Sequence, residues 1–288
     1  MDPRIITDDI QALFNQNIIR TLPISAGKQT SGYAVEFENH QRYFIKCSDE
    51  EKGREMLIAE QEGLLALKTV EHDHVPTIIR DHFVEERSYL VLEYIQEAFG
   101  SSEDDEALGK MIAKLHSSHS TTYGWEKDNY IASLDQKNTP SESWSVFLIN
   151  NRLAPQVKLA IDNGLLTIED RERFQNLFEA IELDSTEHHA VLCHGDLWNG
   201  NAMITANGPF LIDPAVSYLS RYMDLAMMDL FGGFAPVTLE AYYRILPKAE
   251  NHSDQIAMCQ LYFLLNHLNL FGPAYLKGIR NRLDLLSA

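Results

Sequence analysis

Five apolar runs of strand length, interrupted by one helical stretch, occupy residues 18–95 and leave few folds open. The strand-like runs fall at roughly 18–25, 32–38 and 42–47, then near 77–85 and 88–95, with a helix at about 53–69 between the two groups. A short helix is also expected over 4–17. The order β-β-β-α-β-β predicts an antiparallel sheet with one helix laid on it. Between the first two runs lies Ser25-Ala26-Gly27-Lys28-Gln29-Thr30-Ser31-Gly32, small and flexible.

Beyond residue 95 the pattern changes. Gln96 to Asp105 is polar, small and acidic and reads as a linker, its run Ser101–Glu106 as a solvated helix start. Leu108, Met111, Ile112 and Leu115 then give the i, i+3, i+4, i+7 stripe of an amphipathic helix. Residues 120–142 carry Gly, Pro and Asn and read as a long loop. Further helices are expected over 143–163, 168–183, 222–231, 237–246, 252–271 and 274–286. The exception is 190–213, where Ala190–Cys193 and Pro209–Ile212 look like short strands around a polar loop.

That polar loop carries the chemistry. It reads His194-Gly195-Asp196-Leu197-Trp198-Asn199-Gly200-Asn201, followed by Ile212-Asp213-Pro214. A kinase catalytic loop sets its base Asp five positions before a metal-binding Asn, with a second metal Asp after a short hairpin. Asp196 to Asn201 is that step, and Asp213 follows a β-turn-β segment. Asn and Asp are hard oxygen ligands suited to Mg²⁺ on the phosphates of ATP. A polar hairpin whose Asp and Asn merely cap turns is the alternative, and the shared register of Asn201 and Asp213 weighs against it.

Upstream residues complete the set. Tyr43-Phe44-Ile45-Lys46 is a strand with one Lys among apolar residues, the form of the strand-borne kinase Lys that pairs the phosphates. Such a Lys needs a Glu on the next helix. Glu60 and Glu62 both lie on apolar stripes, and periodicity does not choose between them. The turn from Gly27 to Gly32 is a weak candidate for laying backbone N–H groups on phosphate, with Lys28 as a further contact. Its spacing resembles a Walker A, but Tyr33 and Ala34 stand where Lys and Ser/Thr are required. Glu93, Tyr94 and Ile95 lead into the linker, where a hinge would offer its backbone to adenine.

The pattern predicts an α+β protein-kinase-like two-lobe fold, with a β-rich nucleotide-binding lobe over 1–95, a helical lobe over 96–288 carrying the catalytic loop and acceptor site, and a cleft at the linker. No G-x-S-x-G elbow and no H-E-x-x-H occurs, so common hydrolase classes lack their signal. His72-Asp73-His74 and His188-His189 read as solvent-facing rather than metal-binding, the paired His188 and His189 pointing to opposite faces of a strand. The formal charge is −18, which disfavours nucleic acid and anionic lipid as partners and favours cationic ligands. It also repels free ATP, so a nucleotide site here needs its own Lys and metal. Three scattered cysteines suit a reducing compartment. The first residues lack the build of a signal peptide, and no apolar run approaches membrane-span length. A cytoplasmic monomer is expected.

With these residues assembled, the sequence resembles the fructosamine kinase (ketosamine-3-kinase) family, relatives of aminoglycoside and choline kinases. The resemblance runs from about Ile24 to the C-terminus. It is carried by His194–Asn201 and Ile212–Val216, by Arg221 with Asp224–Met227, by Leu230–Phe234, and by Leu264-Leu265-Asn266-His267-Leu268-Asn269-Leu270-Phe271-Gly272. It implies ATP-dependent phosphorylation of the sugar 3-hydroxyl of ketoamines, free or protein-bound, after which the 3-phosphate decomposes and frees the amine. Motif by motif, it implies Asp196 as base, Asn201 and Asp213 as Mg²⁺ ligands, Lys46 as the phosphate Lys and Glu93, Tyr94 and Ile95 as the hinge. It selects Glu60 through Ala59-Glu60-Gln61-Glu62-Gly63-Leu64. Trp198, His194 and His267, in its most specific motifs, are candidate substrate-binding residues. Ala26, Lys28 and Gln29 stand where members often carry further glycines or a Cys, so a redox switch in that loop is not supported. The alternatives are an aminoglycoside- or choline-type kinase, a catalytically dead binding module, and a metal-dependent hydrolase without need of ATP.

Overall fold

The computed structural model describes residues 3–26, 29–84, 86–181 and 189–287, and these divide into two compact units. The first runs to Gly100 and takes in Met203–Asp213; the second is Ser101–Ala202 with Pro214 onward. A division at residue 95 therefore misses a returning segment.

In the first unit, α1 (Pro3–Phe14) precedes β1 (Ile18–Ala26), β2 (Ser31–Phe37) and β3 (Arg42–Ser48). Helix α2 (Glu51–Lys68), β4 (Ile78–Phe83) and β5 (Ser88–Glu93) follow. The strands form one antiparallel sheet in the order β1-β2-β3-β5-β4. Side chains alternate across it. Tyr33, Val35, Phe37, Ile45, Cys47, Tyr89 and Val91 point to the face where Ile6 and Ile10 of α1 close the core. Phe44 and Lys46 point to the other face, and α2 packs on β3 and β5. Strand parity thus decides that the one Lys of β3 lies on the side opposite the α1 core.

The returning segment is a hairpin of β10 (Ala202–Thr205) and β11 (Gly208–Leu211). The Ala98 N–H donates to Ile204 O at 2.9 Å, and Leu211 N–H donates to His74 O at 2.9 Å. The His74 ring completes the attachment through Nδ1–H to Pro209 O at 2.8 Å. These bonds are why residues 203–213 belong with the sheet.

The second unit opens with α3 (Ser102–Leu115), capped by Ser101 and Asp104, which bond each other's backbone N–H groups. Next come β6 (His119–Ser120) and a hairpin of β7 (Asn129–Ile131) and β8 (Leu134–Gln136), within the stretch expected to be a long loop. The helix expected over 143–163 is α4 (Trp144–Leu148) and α5 (Ala154–Asp162), joined by a π turn at Ile149–Leu153. After α6 (Ile168–Ala180), β9 (Ala190–Cys193) pairs with β6 and with β12 (Ser217–Leu219). The two runs Ala190–Cys193 and Pro209–Ile212 therefore belong to different sheets. Tetrapeptides carry too little pattern to name distant partners. Helices α7 (Tyr222–Phe231), α8 (Pro236–Ile245), α9 (His252–Phe271) and α10 (Leu276–Leu286) finish the unit. Helix α9 is its axis, buried along most of its middle and packed by α5, α7 and α10. Among the described residues no helix is long and apolar enough to cross a membrane.

Candidate active site

On the first unit, Lys46 Nζ lies 2.8 Å from the Glu60 carboxylate and 2.5 Å from Asp213 Oδ1. Glu60 faces β3 from α2 and is the helix glutamate paired with Lys46. Burial alone would discharge Lys46, but the two carboxylates overcome it and hold the ammonium charged. Burial also pushes the Glu60 carboxyl up, against the pull of Lys46, and Asp213 adds to the rise. Asp213 sits at φ +55, a left-handed conformation unusual for a residue with a side chain. It directs a half-exposed carboxylate to the ammonium. One cation among two carboxylates leaves room for further positive charge, and hard oxygen suits a Mg²⁺ there.

Beside this group is a cavity of about 300 Å³, with Ile24, Phe44, Leu64, Leu92, Met203 and Ile212 as its apolar walls. Glu93, Tyr94 and Ile95 form one edge. The Glu93 N–H and carboxylate are both committed to Thr77, and the Tyr94 ring lies under the Arg42 guanidinium, 3.9 Å away. What this edge offers a flat heterocycle is therefore backbone. Gly27 and Lys28 lie outside the described residues.

On the second unit, the loop after β9 is held by a buried carboxylate. Asp224, in the first turn of α7, accepts the N–H groups of His194 at 2.7 Å and Gly195 at 2.8 Å. It also accepts from His116 Nε2 at 3.1 Å, while His116 Nδ1 accepts the Tyr242 hydroxyl at 2.9 Å. Burial would raise the Asp224 pKa, but His116 and these bonds keep it below the usual carboxylate value. Gly195 has φ +85, and a Cβ there would sit 2.0 Å from Ala215 O. Only glycine permits that approach.

Asp196 then follows with its N–H on His194 Nδ1 at 3.3 Å. Asn201 donates through Nδ2 to Asp196 O at 2.8 Å and Oδ2 at 3.2 Å. This orients the carboxylate and turns the amide so that Oδ1 is the atom suited to a metal. Trp198, 44% exposed, lays its indole over Gly200, where a Cβ would come within 2.2 Å of the ring.

Asp196 and Trp198 line a cavity of about 360 Å³ with Phe231, Asn266, His267 and Phe271. His267 donates Nδ1–H to Phe263 O at 2.8 Å and lies 4.6 Å from the Phe231 ring, tilted against it; burial lowers its pKa and keeps it neutral. His194 does not belong with them. Its side chain is fully buried and accepts from the Asp196 backbone, so it positions the loop rather than meeting substrate. His116 and Tyr242 carry no signal in the sequence, because their partners lie a hundred residues away, and Asn266 shows itself only as a buried amide lining the cavity. His116, Cys193 and Asp224 also stand close enough for a metal, yet the His and Asp atoms are already spent on hydrogen bonds. The exposed His72 pairs with neighbouring Asp73. His188 lies outside the described residues.

A strand Lys bonded to a helix Glu, with an Asp–Asn loop on a helical unit, defines a phosphotransferase of the protein-kinase-like fold. Comparison with known proteins agrees. The fructosamine kinase family model matches residues 3–288. A probable ketoamine kinase of Enterococcus faecium is 35% identical over 89% of this chain and 91% of its own. A crystal structure of a fructosamine-3-kinase candidate from Thermobifida fusca superposes with a TM-score of 0.87 at 27% identity, covering 98% of each chain. A macrolide 2′-phosphotransferase from Brachybacterium faecium shares the fold alone, at 13% identity, a TM-score of 0.59 and 100% and 97% coverage. The chain belongs to the fructosamine kinase family, and it is an ATP-dependent phosphotransferase.

Proposed function

We propose that the protein transfers the γ-phosphoryl group of ATP to the sugar 3-hydroxyl of ketosamines, the ribulosamine and fructosamine adducts of amines. The supporting observation is Asp196: its carboxylate is oriented by Asn201 and opens on a ring-lined cavity large enough for a sugar. As the O3–P bond forms and the bond from γ-phosphorus to the ADP oxygen breaks, the hydroxyl proton passes to the Asp196 carboxylate. Lys46, held charged by Glu60, binds phosphate oxygens, and the cavity edged by Glu93, Tyr94 and Ile95 takes adenine. Asn201 and Asp213 are the residues that would hold Mg²⁺, which would supply charge neutralisation at the phosphates. Trp198 and His267 wall the acceptor. A phosphate on C3 is then expelled from the 1,2-enaminol of the product, and hydrolysis of the resulting imine frees the amine, so the activity amounts to deglycation.

The test is ATP turnover with a panel of fructose- and ribulose-derived lysine adducts, aminoglycosides and choline. Phosphorylation of the adducts at O3 is expected. Turnover of kanamycin or choline with none of the adducts would overturn the substrate class.

A further inference from the structure

The cavity beside Asp196 is mostly ring and aliphatic surface, which makes its polar groups informative. His267 has spent its Nδ1–H on Phe263 O. Asn266 makes no hydrogen bond of ordinary geometry among the described residues. Its side chain is 1% exposed, it lines the cavity, and neither Nδ2 nor Oδ1 has a hydrogen-bond partner among the described residues. Tyr262, one turn earlier on α9, gives its hydroxyl proton to Gln136 Oε1 at 2.7 Å. Tyr262 is near enough to feel the amide, but no bond of ordinary geometry joins the two. An amide taken out of water without a partner destabilises the fold, and a Leu of nearly the same shape would avoid that loss. Buried groups of this kind call for an explanation, and a ligand completes this one.

We propose that Asn266 determines acceptor specificity by pairing with the sugar oxygens that flank the reacting hydroxyl. Nδ2 donates to the carbonyl oxygen on one side, and Oδ1 accepts from the hydroxyl on the other. This rests on the ketosamine reading above and deepens it. An amide holds a donor and an acceptor on one carbon, so it matches a neutral chain bearing adjacent carbonyl and hydroxyl groups. Choline, with one hydroxyl and a quaternary ammonium, offers no such pair. A site built to hydrogen-bond its substrate rejects analogues that leave its own groups unpaired.

The experiment compares wild type with Asn266→Leu, using the fructose-derived lysine adduct and its 4-deoxy analogue. We expect kcat/KM for the adduct to fall ~10–100-fold, as for loss of hydrogen bonds in a buried site. The KM for ATP should hold, Tm should hold or rise, and the preference for adduct over deoxy analogue should shrink. Should the Leu variant not fold, Asn266→Ala carries the same comparison; loss of the fold in both would overturn the proposal in favour of a purely structural amide. Wild-type turnover of the adduct with Asn266→Leu within twofold of it would overturn the Asn266 assignment alone. Wild type that phosphorylates no ketosamine would overturn the substrate reading, and the Asn266 assignment with it.

Discussion

Asp196 receives its geometry from three hydrogen bonds to two neighbours: His194 on its N–H, and Asn201 on both its carbonyl and carboxylate oxygens. Because general bases contribute ~10²–10⁴ in rate, Asp196→Asn should cost roughly 3–5 kcal/mol of transition-state stabilisation. Single-turnover rates with a confirmed acceptor measure it, and a loss below tenfold in a folded variant would refute the role. Gly200 makes a separable case. Its missing Cβ lets the Trp198 indole lie flat on the loop, so Gly200→Ala must displace the ring. We expect a rise of ~10-fold or more in the acceptor KM, with ATP KM little changed, since a misplaced wall loses apolar contact with the sugar. Equal KM values for the acceptor would show that the ring has no part in binding. The Asp–Asn step was readable from the chain because both residues belong to one short loop. Glu60 against Glu62 was not readable from periodicity, because helix stripes do not say which one strand β3 faces. His194 was misplaced for a similar reason: a loop motif names its residues but not which side chains turn inward.

Local periodicity fixes elements and leaves their partners open. Helix α9 runs over His252–Phe271 as expected, since its apolar run is long and ends at Gly272 with φ +90. The pairing of β9 with β6 and β12 was hidden, as was the π turn between α4 and α5. Where a side chain serves two elements, stability follows it. Asp170, in the first turn of α6, closes a capping box with Thr167 and takes a two-pronged bond from Arg280 of α10, both at 2.9 Å. The Arg280 bond, with those from Thr167, outweighs burial and lowers its pKa to about 2. Unfolded, an Asp titrates near ~3.9. The folded pKa is the lower one, so its contribution is present above pH ~4 and is lost as pH falls toward ~2. Asp170→Ala should therefore cost about 1–3 kcal/mol at pH 7, counting the cap and the partly exposed ion pair. Urea titrations of both proteins should show that gap constant from pH ~5 to 8 and closing toward pH ~2. A gap that widens in acid would reject the ion-pair account.

The two-unit organisation was legible because strands dominate before residue 95 and helices after it. The return of Met203–Asp213 to the first unit was not, since it depends on bonds to Ala98 and His74 that no local pattern announces. That return gives Lys46 its second carboxylate. Charge belongs to the molecule as a whole. At −18, the chain repels a nucleotide bound to Mg²⁺, which is itself anionic, and draws in the cationic amine of a ketosamine. Raising ionic strength from ~0.01 to ~0.1 M shortens the screening length from about 30 to about 10 Å, so both effects weaken together. They weaken with opposite consequences. We expect kcat/KM for the ketosamine to fall with added salt, while kcat/KM for ATP rises, each by a few-fold, at saturating co-substrate and fixed free Mg²⁺. An adduct whose amine is acylated, and therefore neutral, should lose the first dependence and leave the second in place. Salt slopes of the same sign for both substrates would mean that groups near the site, such as Lys46 and Asp213, set the approach of each ligand, and that the net charge does not.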